Sequence, residues 1–146
     1  MSKRINLDAS LAVIASELRS GGWSLLDYLA KLEKRFDDRE PNVLAFVPED
    51  GRFQRLHQQA QALLEKYPDP AERPSLFGVP MGVKDIFQVD DFTTRAGSRL
   101  PADLLQGSEA PSVTALRQAG VLILGKTVTT EFAYFAPGPT RNPHNA

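Results

Sequence analysis

The chain contains no cysteine, and this absence limits both its chemistry and the ways it can be stabilised. Its 146 residues include two histidines and one tryptophan. Without cysteine, disulfides and thiol catalysis are excluded. The two histidines, His57 and His144, are far apart in the chain and support neither a histidine-based triad nor a metal site. We therefore predict that the protein uses no metal and no cofactor.

Charge and hydropathy exclude further classes of protein. The chain has 17 Lys and Arg against 18 Asp and Glu, with no block of like charge, so no surface for nucleic acid is indicated. The opening MSKRINLDAS has a basic pair but no apolar stretch typical of a signal peptide, and no apolar run approaches the length of a membrane span. We expect a cytoplasmic protein that contacts neither nucleic acid nor membrane.

Three amphipathic helices are predicted before residue 67, because apolar residues recur there at spacings of three and four. Their stripes, which we expect to pack in a core, are Leu7, Leu11, Ile14 and Leu18; Leu26, Leu29, Leu32 and Phe36; and Phe53, Leu56, Ala60, Leu63 and Tyr67. Gly21 and Gly22 should end the first helix, and Ser24 with Asp27 should cap the second. Between the second and third, NVLAFVP is a strand candidate that ends at Pro48.

The organisation of the sequence changes at YPDPAERPSLF. Its three prolines cannot continue a helix, so this stretch should run over the surface. Beyond it, the order strand, loop, helix, strand is typical of an α/β layer. We predict one domain with a mainly helical part over residues 1–67, a proline-rich linker over 68–76 and an α/β part over 77–146.

Residues 118–132, QAGVLILGKTVTTEF, contain the letters of a phosphate loop, G-x-x-x-x-G-K-[ST]. A phosphate loop needs a strand before it and a helix after it. Here PSVTALRQA favours a helix with Pro111 in its first turn and Gly120 as its left-handed cap, and VLIL is typical of a buried strand. We therefore predict helix, glycine and buried strand, with Lys126 on the rim of the sheet instead of on a phosphate.

The segment FGVPMGVKDIF places a lysine at the end of a predicted strand. Extended geometry puts two sets of side chains on opposite faces, Val79, Met81 and Val83 on one and Gly78, Pro80, Gly82 and Lys84 on the other. Glycines within a strand often mark the close approach of another backbone. A loop that covered Lys84 would desolvate it and favour the neutral amine of a general base. The alternative from spacing alone is a solvated lysine paired with Asp85.

Three linked blocks carry a family resemblance: GVPMGVKDIFQVDDFTTRAGS, APSVTALRQAGVLILGKTVTTEFAYF and GPTRNPHN. In this order and spacing they resemble the N-terminal part of the amidase signature family. The similarity extends from about Leu7 to the last residue and is strongest from Phe77 onward. The family includes amide hydrolases of many substrates and the A subunit of tRNA-dependent amidotransferases. The resemblance implies an α/β fold, incomplete here, in which helices pack on a mixed β-sheet.

The resemblance also implies a Ser-cis-Ser-Lys triad, and the lysine of its VKD block matches Lys84. The neutral amine would accept a proton, through a bridging serine, from a nucleophilic serine that attacks the amide carbonyl. Both serines belong to a glycine- and serine-rich block that follows TRNPHN in the family and is absent from these 146 residues. Ser75 and Ser98 lie outside that context and are expected to be ordinary loop residues.

One further stretch and one single residue can be compared with the family pattern. The stretch Thr129, Thr130 and Glu131 matches a block near the family's pocket, and we expect these residues to form hydrogen bonds at a strand end. Asp91 stands where a glycine is usual, and we expect it to strain or redirect its turn, because aspartate adopts positive φ less readily than glycine.

Two functional hypotheses follow. In the first, the chain is the N-terminal part of a serine amidase that acts on a small-molecule amide, with Lys84 as general base. The 146 residues alone are then expected to be inactive. The second is a truncated, non-catalytic remnant or an interaction module. We expect the isolated chain to be marginally stable or self-associating, because a piece of a larger sheet exposes strand edges. The sequence leaves open which amide is cleaved. It also leaves open whether the protein is a free hydrolase or a component of an amidotransferase, and whether it forms a homodimer or binds amidotransferase-type partner subunits.

Overall fold

The computed structural model describes residues 4–145. Within that range the elements, in chain order, are α1 (Leu11–Ser20), α2 (Leu25–Val43), α3 (Arg52–Lys66), β1 (Pro80–Lys84), α4 (Pro111–Gln118) and β2 (Leu122–Thr127). Single turns of 3₁₀ helix lie at Pro70–Glu72, Ala102–Leu105 and Glu131–Ala133. Three helices precede the first strand as the sequence indicates, a fourth lies between the two strands, and the fold is an incomplete α/β arrangement. The division into three parts stays a prediction.

The first two helices begin and end close to the predicted capping residues. Ser10 caps α1 by accepting a hydrogen bond from the backbone of Val13, so this helix begins after Leu7. Gly21, with φ of 76°, ends α1. The hydroxyl of Ser24 accepts a hydrogen bond from the amide of Asp27 and caps α2. These caps satisfy backbone donors that have no partner in the first turn of a helix.

The predicted strand NVLAFVP is wrong for most of its length, because its first two residues belong to α2, which continues through Pro41 to Val43, and among its seven residues Phe46 alone forms a strand pairing. A proline removes one intrahelical hydrogen bond, and here the helix extends past it. What remains extended pairs antiparallel with the end of β2, through a single bridge between Phe46 and Thr127. The amide of Val47 donates to the Lys126 carbonyl at 2.9 Å. This bridge gives the otherwise parallel sheet its mixed character.

The two strands β1 and β2 are parallel neighbours joined by a crossover that contains α4. Pro80 pairs with Leu122 and Lys84 with Thr127, with one register shift between Met81 and Gly82. Both strands therefore end at the same edge of the sheet. Ligands of open α/β sheets bind at the carboxyl ends of the strands, so this edge is where a site is expected.

Glu109 anchors the part of the crossover that directly precedes α4. The carboxylate accepts hydrogen bonds from the Asp90 amide at 3.1 Å, the Thr114 hydroxyl at 2.9 Å and Arg117 Nε at 3.0 Å. Burial alone would raise the pKa of Glu109, but these hydrogen bonds and the charge of Arg117 lower it below its ordinary value of 4.5. The neighbouring turn holds Asp91 at φ of 69°, the left-handed conformation expected for the position.

The helical stripes pack in the core, as predicted, with the exception of Leu11, which is 60% exposed in the first turn of α1. One cluster joins the helices to β2, and its buried members are Leu18, Trp23, Leu25, Tyr28, Leu29, Phe53, Leu56, Ala60, Phe77, Val79, Leu122 and Leu124. A second lies on the other side of the sheet and contains Val83, Val89, Val113, Val121 and Ile123. Because β2 contributes to both clusters, it is buried on both faces, as its continuous apolar run indicates.

Candidate functional site

Lys84 is the last residue of β1, and its side chain is exposed. Of the two alternatives that spacing left open, the exposed side chain agrees with a solvated lysine, and within residues 4–145 no loop covers it. Two residues earlier, Gly82 has close neighbours: a Cβ there would lie 2.6 Å from Cγ2 of Thr127 and 3.2 Å from the ring of Phe46. Side chains, instead of another backbone, therefore occupy the space beside this glycine.

A buried ion pair lies directly beside Lys84. Nζ of Lys126 is 2.8 Å from Oδ1 of Asp85, and the two side chains are 2% and 4% exposed. The same Nζ donates to the hydroxyl of Thr94 at 2.9 Å. Within the described residues Oδ1 accepts no further hydrogen bond, so its burial depends on the ammonium group of Lys126.

This pair corrects two expectations. Lys126 does not lie on the rim of the sheet, because its ammonium group finds a carboxylate and a hydroxyl inside the protein. Asp85 pairs with Lys126 instead of with Lys84. A buried charge persists only where it is paired, and Lys126 alone supplies that partner. The amine of Lys84 is consequently left without the neighbouring carboxylate as a counter-ion.

Asp85 also fixes the loop that follows β1. Its Oδ2 accepts the Arg95 amide at 3.3 Å, and its carbonyl accepts the Ala96 amide at 3.0 Å. Thr94 donates its hydroxyl to the carbonyl of Phe87 at 3.1 Å. The ion pair, the end of β1 and this loop therefore form one hydrogen-bonded unit.

Two arginines of α3 seal the edge of β2 that faces away from β1. Arg55 donates to the carbonyls of Ile123 at 2.9 Å and Leu124 at 3.3 Å, and Arg52 donates to Leu124 at 3.3 Å. Arg52 is 6% exposed and lies over the rings of Phe36 and Phe46. Burial lowers the pKa of its guanidinium below the ordinary value, and the charge of nearby Glu49 opposes that change. These guanidinium groups take the place of a neighbouring strand.

The second glycine of the phosphate-loop letters serves this arginine packing. A Cβ on Gly125 would lie 2.3 Å from Nη1 of Arg52 and 3.1 Å from its Cζ. The first, Gly120, follows α4 with φ of 94°, as predicted. Since both glycines have structural roles and Lys126 is buried in an ion pair, the letters do not form a phosphate loop.

The hydroxyl residues weighed in the sequence occupy loops and turns. Ser98 donates its hydroxyl to the carbonyl of Arg95 at 2.8 Å, and Ser75 is exposed. Thr129 is buried and donates to the carbonyl of Thr130 at 2.9 Å, which is the strand-end hydrogen bonding that we expected. Glu131 begins the following 3₁₀ turn.

The histidines do not form a site. Nε2 of His57 lies 3.7 Å from Oε2 of Glu33 on the helical surface, and His144 is exposed near the end of the chain. Within residues 4–145 no group of three or more His, Asp or Glu side chains could hold a metal ion. In the same range no helix combines the length and apolar character needed to cross a membrane.

Comparison with known proteins decides the family. The family model described as Amidase matches residues 30–146. The chain belongs to the amidase family. The A subunit of glutamyl-tRNA(Gln) amidotransferase from Nitratidesulfovibrio vulgaris (strain DP4) is 39% identical over 126 residues, which cover 82% of this chain and 24% of that protein. The corresponding protein of Pelobacter propionicus is 31% identical over 144 residues, covering 94% and 29%.

Solved structures agree with this membership. A chain of the complex described as "An unexpected vestigial protein complex reveals the evolutionary origins of an s-triazine catabolic enzyme" is 28% identical with a TM-score of 0.78, over 94% of this chain and 31% of that one. A crystal structure of an amidase is 32% identical with a TM-score of 0.69, over 92% and 31%. This amidase-family chain spans about a quarter to a third of the length of the relatives it matches.

The ion pair of Asp85 and Lys126 is the feature that sequence reasoning missed. One signal was available. Lys126 lies in a strand that begins with a buried apolar run, so its charge needs a buried partner. Asp85 directly follows the neighbouring parallel strand.

Proposed function

We propose that the chain is the N-terminal part of an enzyme that cleaves the C–N bond of a carboxamide, with Lys84 as its general base. The supporting observation is the position of Lys84 at the carboxyl end of β1, beside an acid that is already paired with Lys126. A lysine can abstract a proton only as the neutral amine. Pairing with the adjacent Asp85 would favour the ammonium form, and the Lys126 ion pair prevents it.

The proposed reaction is acyl transfer through a serine. Lys84 Nζ would take a proton, by way of a bridging serine in a cis peptide, from the nucleophilic serine, which then attacks the amide carbonyl. The proton would return to the leaving nitrogen as the C–N bond breaks, and water would then hydrolyse the acyl-serine and regenerate the serine. Neither serine has a match among these 146 residues. The chain alone is therefore expected to release no ammonia from carboxamides, and stoichiometric labelling by a serine-directed covalent probe would contradict this.

The experiment uses protein expressed from the gene read beyond the codon for Ala146. Ammonia release is measured from a panel of small carboxamides with the unchanged protein, Lys84→Met and the control Lys66→Met, whose lysine lies exposed on α3. Loss of a positioned general base should lower kcat by about 10²–10⁴-fold, and only in the Lys84 variant. Equal kcat in all three proteins would exclude Lys84 as the base.

The names of the two similar proteins favour a second assignment for the whole protein. Each is named as the A subunit of an amidotransferase, and such a protein would deliver ammonia to an acceptor instead of to water. Steady ammonia release by the protein alone supports the hydrolase. Release that requires partner subunits supports the amidotransferase.

A further inference from the structure

A cleft of about 600 Å³ opens at the carboxyl ends of the two strands. Asp85, at the end of β1, lies in its wall, with Thr129 just after β2. The loop after β1 contributes Arg95, Ser98 and Arg99. Lys84, the proposed base, directly precedes Asp85 in the chain and ends the same strand. This is the edge at which open α/β sheets bind ligands.

The charges of the cleft are unbalanced toward the positive. Two guanidinium groups line it, Arg95 and Arg99, and within residues 4–145 neither side chain has an ion-pair or hydrogen-bond partner. Of the two acids in the wall, Asp85 is already neutralised by Lys126, which leaves Glu131. The lining therefore carries one positive charge more than its acids balance. A guanidinium group binds a carboxylate with two parallel hydrogen bonds.

The backbone that carries these arginines holds one residue in a costly conformation. Ala96 has φ of 50°, which costs free energy for a residue with a side chain, whereas Gly97 adopts its φ of 66° freely. Non-glycine residues of this kind persist where surrounding contacts over-determine them, and they cluster at ligand sites. Here Asp85 holds the amides of Arg95 and Ala96, and the carbonyl of Ala96 accepts the Phe132 amide at 2.8 Å. The loop is thus fixed to both sides of the cleft before any ligand binds.

We propose that Arg95 and Arg99 bind the carboxylate of the substrate, so that the substrate class is a short amide carrying a carboxylate group. This inference rests on the proposed function for its amide, and it adds the anionic group. The buried Lys126 then acts at a distance from the ligand, because it holds Asp85, and Asp85 holds the arginine-bearing loop.

Binding is tested separately from hydrolysis, with the 146-residue chain at a concentration at which sedimentation shows a monomer, and with two probes of equal length. Succinamate has one amide and one carboxylate, and succinamide has two amides and no charge. Amide chemical shifts are followed by NMR as each probe is added. We expect succinamate to bind about tenfold or more tightly than succinamide, as a charge-assisted pair of hydrogen bonds would give, with the shifts confined to the loop after β1 and the residues after β2.

Three variants complete the test: Arg95→Gln, Arg99→Gln and the control Arg39→Gln, whose arginine is exposed on α2. The first two should each lose about tenfold in succinamate affinity with no change for succinamide, and the control should keep both affinities. Equal affinities for the two probes, no saturable shift with succinamate, or an equal loss in the control would each overturn the proposal. A failed Lys84 test leaves this binding result unaffected, so the two proposals fail separately.

Discussion

Replacing Lys126 by methionine tests whether the buried ion pair holds the sheet together. Methionine keeps most of the side-chain volume but removes the charge. The carboxylate of Asp85 would remain buried, with the Arg95 amide at 3.3 Å as the hydrogen-bond donor left to it among the described residues. Removing one partner of a buried pair costs about 3–5 kcal/mol. Since whole domains are stable by only about 5–15 kcal/mol, Lys126→Met should lose a large part of the stability.

The free energy of unfolding is measured by urea denaturation, and the protein supplies its own probe. Trp23 is the one tryptophan of the chain and is 5% exposed, so its fluorescence should change on unfolding. The matched control is Lys84→Met, which removes an exposed lysine of the same sheet edge and should change stability by no more than about 0.5 kcal/mol.

A double variant separates loss of the pair from loss of packing. Asp85→Asn combined with Lys126→Met leaves no unpaired charge, so it should be more stable than Lys126→Met alone, because replacing both partners is often near neutral. If Lys126→Met costs less than about 1 kcal/mol, or if the double variant is no better than the single one, the ion pair does not have the structural importance that its burial indicates.

Three of the remaining predictions use the same denaturation assay, and the last uses sedimentation. Gly125→Ala should cost about 1–3 kcal/mol because its Cβ would displace the Arg52 guanidinium, whereas Gly107→Ala has ordinary contacts and should be neutral; equal losses would refute the packing argument. Asp91→Gly should stabilise by up to about 1 kcal/mol by relieving a positive φ, and a loss would show that the carboxylate has a role of its own. Folding lowers the pKa of Glu109, so its carboxylate stabilises the fold at pH values above its ordinary pKa of 4.5, and this contribution is lost as the pH falls through the lowered pKa. Glu109→Gln should therefore lose less stability on acidification than the unchanged protein. An unchanged acid profile would count against this prediction. Sedimentation should show self-association of the isolated chain, because β1 pairs with β2 alone among the described residues and an open strand edge invites pairing; a monomer that unfolds cooperatively would contradict this.

Local patterns predicted the elements that depend on local physics. The stripe spacings indicated the three early helices, and Ser24 and Gly21 marked helix ends because capping is decided within a few residues. The buried run VLIL was recognised as a strand because it lies between a helix-ending glycine and β-branched residues. The apolar residues of NVLAFVP indicated a strand, but α2 extends through Pro41 to Val43 and takes the first two residues of this stretch.

The arrangement at the sheet edge could not be predicted in the same way, because it depends on partners distant in sequence. Asp85 and Lys126 are brought together only when β1 and β2 pair in parallel with Lys84 opposite Thr127. Residue spacing along the chain carries no information about that register. The family resemblance identified Lys84 as the residue of interest, but it did not show which charge would satisfy Asp85.

The phosphate-loop letters show how the same residues can serve opposite electrostatic purposes. In a phosphate loop, glycines allow backbone amides to approach an anion and the lysine adds its charge. In this chain Gly125 admits a cation, the guanidinium of Arg52, and Lys126 turns inward to an acid of the protein itself. Positive charge that would have been directed at a ligand is thus neutralised inside the fold, and the free guanidinium groups lie instead on the loop after β1. If an anionic substrate binds this sheet edge, the charge that attracts it comes from Arg95 and Arg99, and Lys126 contributes only by keeping their loop in place.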